Sequence, residues 1–107
     1  MEENFKTEIV SPEKVIFSGN SIMTTLPAYE GDMTILKNHI PTITFLRPGI
    51  IKVKKNDKND EDFFIQDGIV EFYNNTLVVL SSSTFNIKNL SKKFVDSLSD
   101  ETREKLA

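Results

Sequence analysis

The sequence predicts a mainly β protein, in which a β-sandwich or flattened barrel is followed by a short helical tail. Two observations support this fold class. Over residues 5–80, short segments in which apolar and polar residues alternate are separated by turn residues, as in half-buried strands. After residue 86, apolar residues recur at spacings of three and four, which is the period of a helix.

The strands are predicted from this alternation. In the first one, Phe5, Thr7 and Ile9 share one face, while Lys6 and Glu8 point to the other. The predicted strands cover residues 5–9, 15–17, 22–26, 33–36, 40–46, 50–53, 63–66, 69–73 and 77–80. The segment 40–46 has apolar residues on both faces, so we expect this strand to lie between two layers.

Turn residues mark where the strands end. Pro12 suits a turn over residues 11–14, and Asn74-Asn75 suits a tight hairpin turn because Asn tolerates positive φ. Gly19-Asn20 is predicted to end the second strand, and residues 27–32 are predicted to form a loop. Residues 54–62 contain no apolar residue, which indicates an exposed hairpin loop.

The pattern of residues 86–107 predicts a helical tail. Ser91 is a candidate N-cap for a helix over residues 92–98, and Ser99 for a second short helix. Helices this short are marginal in isolation, so they must dock on another element or fray. We therefore expect two parts, a β-sandwich domain over residues 1–85 and a tail over residues 86–107.

Composition excludes several function classes. The 107 residues suffice for one domain of common size, and the net charge of −3 argues against a nucleic-acid binder. Without cysteine, the chain has neither disulfides nor thiolate chemistry, and its single histidine excludes a multi-histidine metal site. The acidic N-terminus and the short apolar segments contain no targeting signal or membrane span, so we expect a soluble chain.

The densest cluster of chemically capable residues is Glu30, Asp32 and His39. An enzymatic interpretation would make His39 a general base, and a metal interpretation would make all three residues ligands. No nucleophile-elbow motif or recognised ligand spacing accompanies them, and no glycine-rich phosphate loop is present. The bland alternative is a loop with a permissive Gly31 and a histidine that hydrogen-bonds a strand end. Elimination therefore favours a binding or structural module over an enzyme.

Five segments resemble, in order and spacing, the epsilon subunit family of the bacterial F-type ATP synthase, called delta in mitochondria. They are residues 9–19 (IVSPEKVIFSG), 26–33 (LPAYEGDM), 38–41 (NHIP), 46–53 (LRPGIIKV) and 64–72 (FIQDGIVEF). The resemblance implies a ten-stranded β-sandwich low on the central stalk, which binds gamma and the c-ring and couples proton-driven rotation to ATP synthesis. It implies neither catalysis nor a cofactor or metal in this subunit.

The resemblance also implies where the contacts lie. Glu30, Gly31 and Asp32 are expected to contact the c-ring, and His39 and Pro41 to lie near the gamma and c-ring contacts. The subunit is expected to be monomeric when isolated and to bind no nucleic acid. We expect it at the cytoplasmic face of the bacterial inner membrane, held there peripherally through the complex.

Two of the chain's departures from the family pattern concern the loop before His39 and the tail. Lys37-Asn38 stands where members usually have Pro-Gly, and the tail is shorter than the inhibitory helical hairpin of many members, whose ATP-binding motif has no match here. We therefore expect the inhibitory function to be reduced or absent. The alternative to a rotor subunit is a free-standing β-sandwich that binds other proteins, and a small hydrolase or metalloprotein built around His39 is a third interpretation.

Overall fold

The computed structural model describes residues 4–56 and 60–87, which form ten strands. The strands are β1 (Phe5–Val10), β2 (Val15–Ser21), β3 (Met23–Ala28), β4 (Gly31–Ile35), β5 (Thr42–Leu46), β6 (Gly49–Lys54), β7 (Glu61–Ile65), β8 (Gly68–Tyr73), β9 (Thr76–Leu80) and β10 (Thr84–Asn86). The mainly β architecture predicted from the alternating pattern is confirmed, as is the strand number that the resemblance implied.

The strands form a nearly closed β-sandwich with two layers. One layer has the strand order β10-β7-β6-β3-β4 and the other β5-β8-β9-β1-β2. They join at a corner where Ala28 of β3 pairs with Leu46 of β5. The pairing of β1 with β9 is parallel, and the other strand pairs are antiparallel. This pair connects the two layers into one sheet of ten strands.

The space between the layers is filled by inward-facing residues, which alternate along the strands with outward-facing ones. Their burial removes apolar surface from water, which is the main favourable contribution to folding. The buried cluster comprises Phe5, Ile9, Leu26, Ala28, Ile35, Leu46, Ile51, Val53, Phe63, Ile65, Val70, Phe72, Leu77 and Val79. Edge-to-face packing of Phe5 on Phe72, with ring centroids 5.7 Å apart, links β1 to β8 inside this core.

Three buried hydroxyl groups interrupt the apolar core near the start of β1. The Oγ1 atom of Thr7 lies 2.6 Å from the Ser21 Oγ and 3.2 Å from the Thr24 Oγ1. All three side chains are fully buried, and each finds a hydrogen-bond partner in the others. These groups therefore avoid the cost of burying an unpaired polar atom, while they link β1 and β2 of one layer to β3 of the other.

Two of the predicted strand ends are wrong because pairing overrides local propensity. β2 continues through Gly19 and Asn20, whose partners across the ladder are Thr7 and Lys6. The predicted loop over residues 27–32 is instead a hairpin whose turn is only Tyr29-Glu30. Pro27 fits inside β3 because its carbonyl oxygen accepts a hydrogen bond from the Arg47 backbone N–H, at 2.9 Å, and Pro has no N–H of its own to satisfy.

Two further predictions are wrong, namely the burial of segment 40–46 between layers and the end of the strand series at residues 77–80. Two predicted turns are confirmed. β5 does not lie between layers, because Ile43 and Phe45 are exposed. The segment 77–80, predicted as the last strand, is followed in the described residues by β10, which pairs with β7 and is too short for its alternation to show in the sequence. The turn over residues 11–14 is closed by a hydrogen bond from the Ser11 N–H to the Lys14 carbonyl oxygen, and Asn74-Asn75 forms the β8–β9 turn with φ values of 51° and 55°.

The predicted helical tail beyond residue 87 lies outside the described residues. The boundary between a sandwich domain and a tail at residues 85 and 86 therefore stays a prediction. In the described part of the chain, no helix has the length and hydropathy required to cross a membrane.

Candidate functional site

The acidic turn, which we define as residues 29–32, is the tip of the β3–β4 hairpin. Gly31 has a φ of 132°, a conformation that other residues rarely adopt, and it pairs with Ala28 across the hairpin. This glycine allows a two-residue connection between the strands. The turn therefore projects Tyr29 and Glu30 outward, and both side chains are exposed.

Arg47, at the end of β5, holds the acidic turn. Its Nη2 donates to the Asp32 Oδ1 at 2.7 Å, and its Nε donates to the Ala28 carbonyl oxygen at 3.0 Å. The Tyr29 backbone N–H also donates to the Phe45 carbonyl oxygen, at 3.1 Å. The turn is thus fixed to the corner between the two layers by side-chain and backbone hydrogen bonds.

The loop between β4 and β5 carries His39 and Pro41. It is held by a pair of amide side chains: the Asn38 N–H donates to the Asn75 Oδ1 at 2.7 Å, and the Asn75 Nδ2 donates to the Asn38 Oδ1 at 3.0 Å. We call this pair the asparagine brace. Asn38 has a φ of 67°, which Asn adopts more readily than most residues. The asparagine brace therefore holds Asn38 in this left-handed conformation.

The His39 side chain is oriented by a contact within its own loop and by a packed ring of β8. Its Nδ1 lies 2.8 Å from the Ile40 carbonyl oxygen, and since a carbonyl only accepts, Nδ1 carries the hydrogen. The ring packs edge-to-face on Phe72, with centroids 5.8 Å apart. The acceptor lies two residues before β5 begins at Thr42, so the histidine bonds beside the strand end and not to it.

An exposed apolar surface covers the outer face of β5, β8 and β9. Phe45 is 63% exposed and Ile43 is 66% exposed, although both are in the middle of a strand. We define the outer-face band as Tyr29, Ile43, Phe45, Ile69, Tyr73 and Leu80. Strand register places Phe45, Ile69 and Leu80 in one row across the three strands, and the charged Glu71 lies beside Ile43 in the next row.

The outer-face band connects the two predicted contact sites. At one end, Tyr29, Phe45, Ile69 and Leu80 line a shallow groove of about 480 Å³. At the other end, a smaller groove of about 250 Å³ places Pro41 beside Ile43 and Tyr73. The band is therefore continuous along β5 from the acidic turn to the loop of His39, while on β8 the exposed Glu71 separates Ile69 from Tyr73.

The residues singled out in the sequence separate into two places. Glu30, Gly31 and Asp32 lie at the end of β5 where Arg47 is, and His39 and Pro41 lie at its beginning. The length of β5 puts roughly 15 Å between these places. In residues 4–56 and 60–87, no three His, Asp or Glu side chains converge in an arrangement that could bind a metal. The structure thus gives no support to a metal site or an acid–base pair formed by Glu30, Asp32 and His39.

Sequence reasoning missed the residues that support these sites. Arg47 and Asn75 act on segments far away along the chain, and no local pattern identifies them. The outer-face band did leave a signal, since the segment 40–46 is apolar on both faces. This pattern predicts a strand buried between layers. In the structure it corresponds instead to an apolar outer face that the rest of the described chain leaves uncovered.

A rigid β-sandwich with a continuous exposed apolar strip has the features of a domain that binds other proteins. Comparison with known proteins identifies the family to which this domain belongs. Residues 4–87 match the family model described as the β-sandwich domain of the ATP synthase delta/epsilon chain. The chain therefore belongs to the ATP synthase delta/epsilon chain family, and the alternative of a free-standing module unrelated to ATP synthase is wrong.

Curated relatives agree with this assignment. The chain is 48% identical over 105 residues to the ATP synthase epsilon chain of Pelagibacter ubique. The aligned segment covers 97% of this chain and 80% of that protein. The chain is 32% identical over 106 residues to the ATP synthase epsilon chain of Sinorhizobium fredii, with 99% and 79% covered. Both relatives are therefore named as chains of ATP synthase.

Solved structures share the fold. A chain in the mitochondrial ATP synthase of Euglena gracilis, from a structure of the OSCP/F1/c-ring assembly, matches with a TM-score of 0.79 at 14% identity, over 97% of this chain and 73% of that one. A chain in the central stalk/c-ring structure of the Tetrahymena thermophila mitochondrial ATP synthase matches with a TM-score of 0.69 at 20% identity, over 92% and 76%.

Proposed function

We propose that this protein is a non-catalytic subunit of the ATP synthase central stalk. It binds gamma and the c-ring and turns with them, so that proton-driven rotation reaches catalytic sites elsewhere in the complex. It acts at the cytoplasmic face of the bacterial inner membrane, held there peripherally. Membership of the delta/epsilon family supports this role. The His39 contacts support its non-catalytic part, because Nδ1 is bonded to the Ile40 carbonyl oxygen and the ring packs on Phe72.

The outer-face band is the observation that carries the proposed contact with gamma. An uncovered strip of aliphatic and aromatic side chains gains free energy when another protein removes it from water. The groove beside Pro41 makes this strip continuous with the loop of His39. Gamma therefore binds across the outer face of β5, β8 and β9, and the loop of His39 and Pro41 extends the contact.

The acidic turn carries the proposed contact with the c-ring. Glu30 and Asp32 offer carboxylate oxygens at the tip of a hairpin, where they can accept hydrogen bonds from the polar loops of the ring. The separation of roughly 15 Å along β5 lets the acidic turn and the loop of His39 contact different parts of the rotor at the same time.

Cysteine cross-linking tests this arrangement, because the chain has no cysteine of its own. Glu30→Cys places a thiol in the acidic turn and leaves the Asp32–Arg47 ion pair intact. We expect it to form a disulfide with a cysteine placed in the polar loop of the c subunit, in complexes that also retain gamma. Non-reducing electrophoresis of the purified complex measures the yield.

Ser18→Cys is the matched control, because Ser18 is exposed on β2, the edge strand of the other layer. We expect no c-subunit product from this variant. Equal yields from the two variants, or no product from Glu30→Cys in an assembled complex, would contradict the proposed c-ring contact. Failure of the wild-type chain to co-purify with gamma would contradict the rotor role itself.

A further inference from the structure

Arg47 reaches two different strands of the β3–β4 hairpin from the end of β5. Its Nε contacts the main chain of Ala28, and its Nη2 contacts the side chain of Asp32. The Arg47 side chain is only 28% exposed, whereas the Asp32 side chain is 70% exposed. The guanidinium is therefore the more buried, fixed partner, and it holds a carboxylate that faces outward.

The ion pair changes the charge that the acidic turn presents. Asp32 is compensated by Arg47 at 2.7 Å, whereas Glu30 has no ion-pair partner among the described residues. The contact uses Oδ1 of Asp32, so the second carboxylate oxygen stays available to a donor from outside. The turn thus presents one net negative charge, on Glu30, and one neutralised carboxylate in a fixed orientation.

We propose that Arg47 is a positioning residue for the c-ring contact. It holds Asp32 in the orientation that accepts a hydrogen bond from a polar c-subunit loop, and it leaves Glu30 as the only uncompensated acid of the turn. This inference rests on the proposed function, because it assumes that the acidic turn meets the c-ring. Without Arg47, the negative charges of Glu30 and Asp32 would both be uncompensated, and the hairpin would lose two of its hydrogen bonds to the corner.

The geometry requires arginine rather than any cation. One guanidinium donates through Nε and Nη2 at once, in a planar arrangement that fixes both acceptors. The ammonium of lysine would keep the charge near Asp32 but would give up the bond to the Ala28 carbonyl. Lysine at this position is therefore expected to give partial function, and methionine to give the least.

The test is a double-mutant cycle on the affinity of the full chain, bound to gamma, for the purified c-ring. We expect Arg47→Met to weaken c-ring binding about two- to fivefold, which corresponds to the energy of an exposed ion pair. Arg47→Lys should recover part of this loss. In the Asp32→Asn background, Arg47→Met should cause little additional loss, because the two residues act through one contact.

Lys52→Met is the matched control, because Lys52 is an exposed cation on β6 that lines the same shallow groove as Asp32 and Arg47. It should leave c-ring affinity unchanged. Equal losses from Lys52→Met and Arg47→Met would overturn the inference, because they would indicate a general charge effect. A loss from Arg47→Met that persists in full with Asn at position 32 would overturn it too.

The affinity for gamma and the urea midpoint of unfolding separate positioning from a folding defect. We expect both to stay close to wild type in Arg47→Lys, so this variant keeps the cycle informative if Arg47→Met unfolds. A wild-type chain that binds gamma but not the c-ring would refute the proposed c-ring contact and the role of Arg47 with it. Wild-type binding that no Arg47 variant changes would refute the role of Arg47 alone.

Discussion

The two faces of the β5–β8–β9 layer contain similar residue types but stand in opposite environments. On the inner face, Phe72 is 2% exposed and packs between Phe5 and His39. On the outer face, Phe45 is 63% exposed, in a strand paired with that of Phe72. The inner phenylalanine stabilises the fold, and the outer one is available to a partner. Hydrophobicity alone therefore does not reveal which residues form the core of this protein.

Truncating the inner face should produce the largest effect on stability. Phe72→Ala removes a buried ring that packs on Phe5 and His39, and we expect it to lower the free energy of unfolding by about 3–5 kcal/mol. Urea denaturation followed by circular dichroism measures this loss.

Phe45→Ala is the matched control, since it removes the same side chain from the outer face. It should change the free energy of unfolding by less than about 0.5 kcal/mol. Similar losses in the two variants would show that Phe45 is covered in the free protein, and would remove the distinction between the faces.

A smaller effect is expected at the asparagine brace, which ties the loop before β5 to the β8–β9 turn. Asn75→Gly removes the two hydrogen bonds but keeps a residue that accepts a φ of 55°, so we expect a loss of about 1–2 kcal/mol in the free energy of unfolding. Asn38→Gly should cost less, because glycine adopts positive φ without help from the brace.

The double variant Asn38→Gly with Asn75→Gly tests the coupling between the two amides. Its loss should be close to that of Asn75→Gly alone, because the brace can only be removed once. Asn74→Gly, which changes the neighbouring turn residue at a φ of 51°, should cost nothing measurable. Strictly additive losses at positions 38 and 75 would show that the amides act independently.

Alternation and turn residues predicted most of the fold. The pattern of Phe5, Thr7 and Ile9 indicated a strand, and all three residues are buried on one face. Pairing decided what local patterns could not. Gly19 and Asn20 suggest a break when they are considered alone, yet β1 supplies partners that keep β2 extended to Ser21.

The candidate site was less accessible to sequence reasoning. The resemblance implies that Glu30, Asp32 and His39 are contact residues, but the residues that support their segments are distant along the chain. Arg47 lies 15 positions from Asp32, and Asn75 lies 37 positions from Asn38. Such pairs exist only after the layers have folded, and nothing in the local sequence marks them.

The central claim is that the outer-face band binds gamma, and calorimetric titration of purified gamma tests it most directly. Wild type should bind with a negative heat-capacity change, as expected when apolar surface is buried. Phe45→Asp should weaken binding at least about tenfold at unchanged folding stability, and Val15→Asp, an exposed change four strands away, should stay within about twofold of wild type. Equal gamma affinity of wild type and Phe45→Asp would contradict the account.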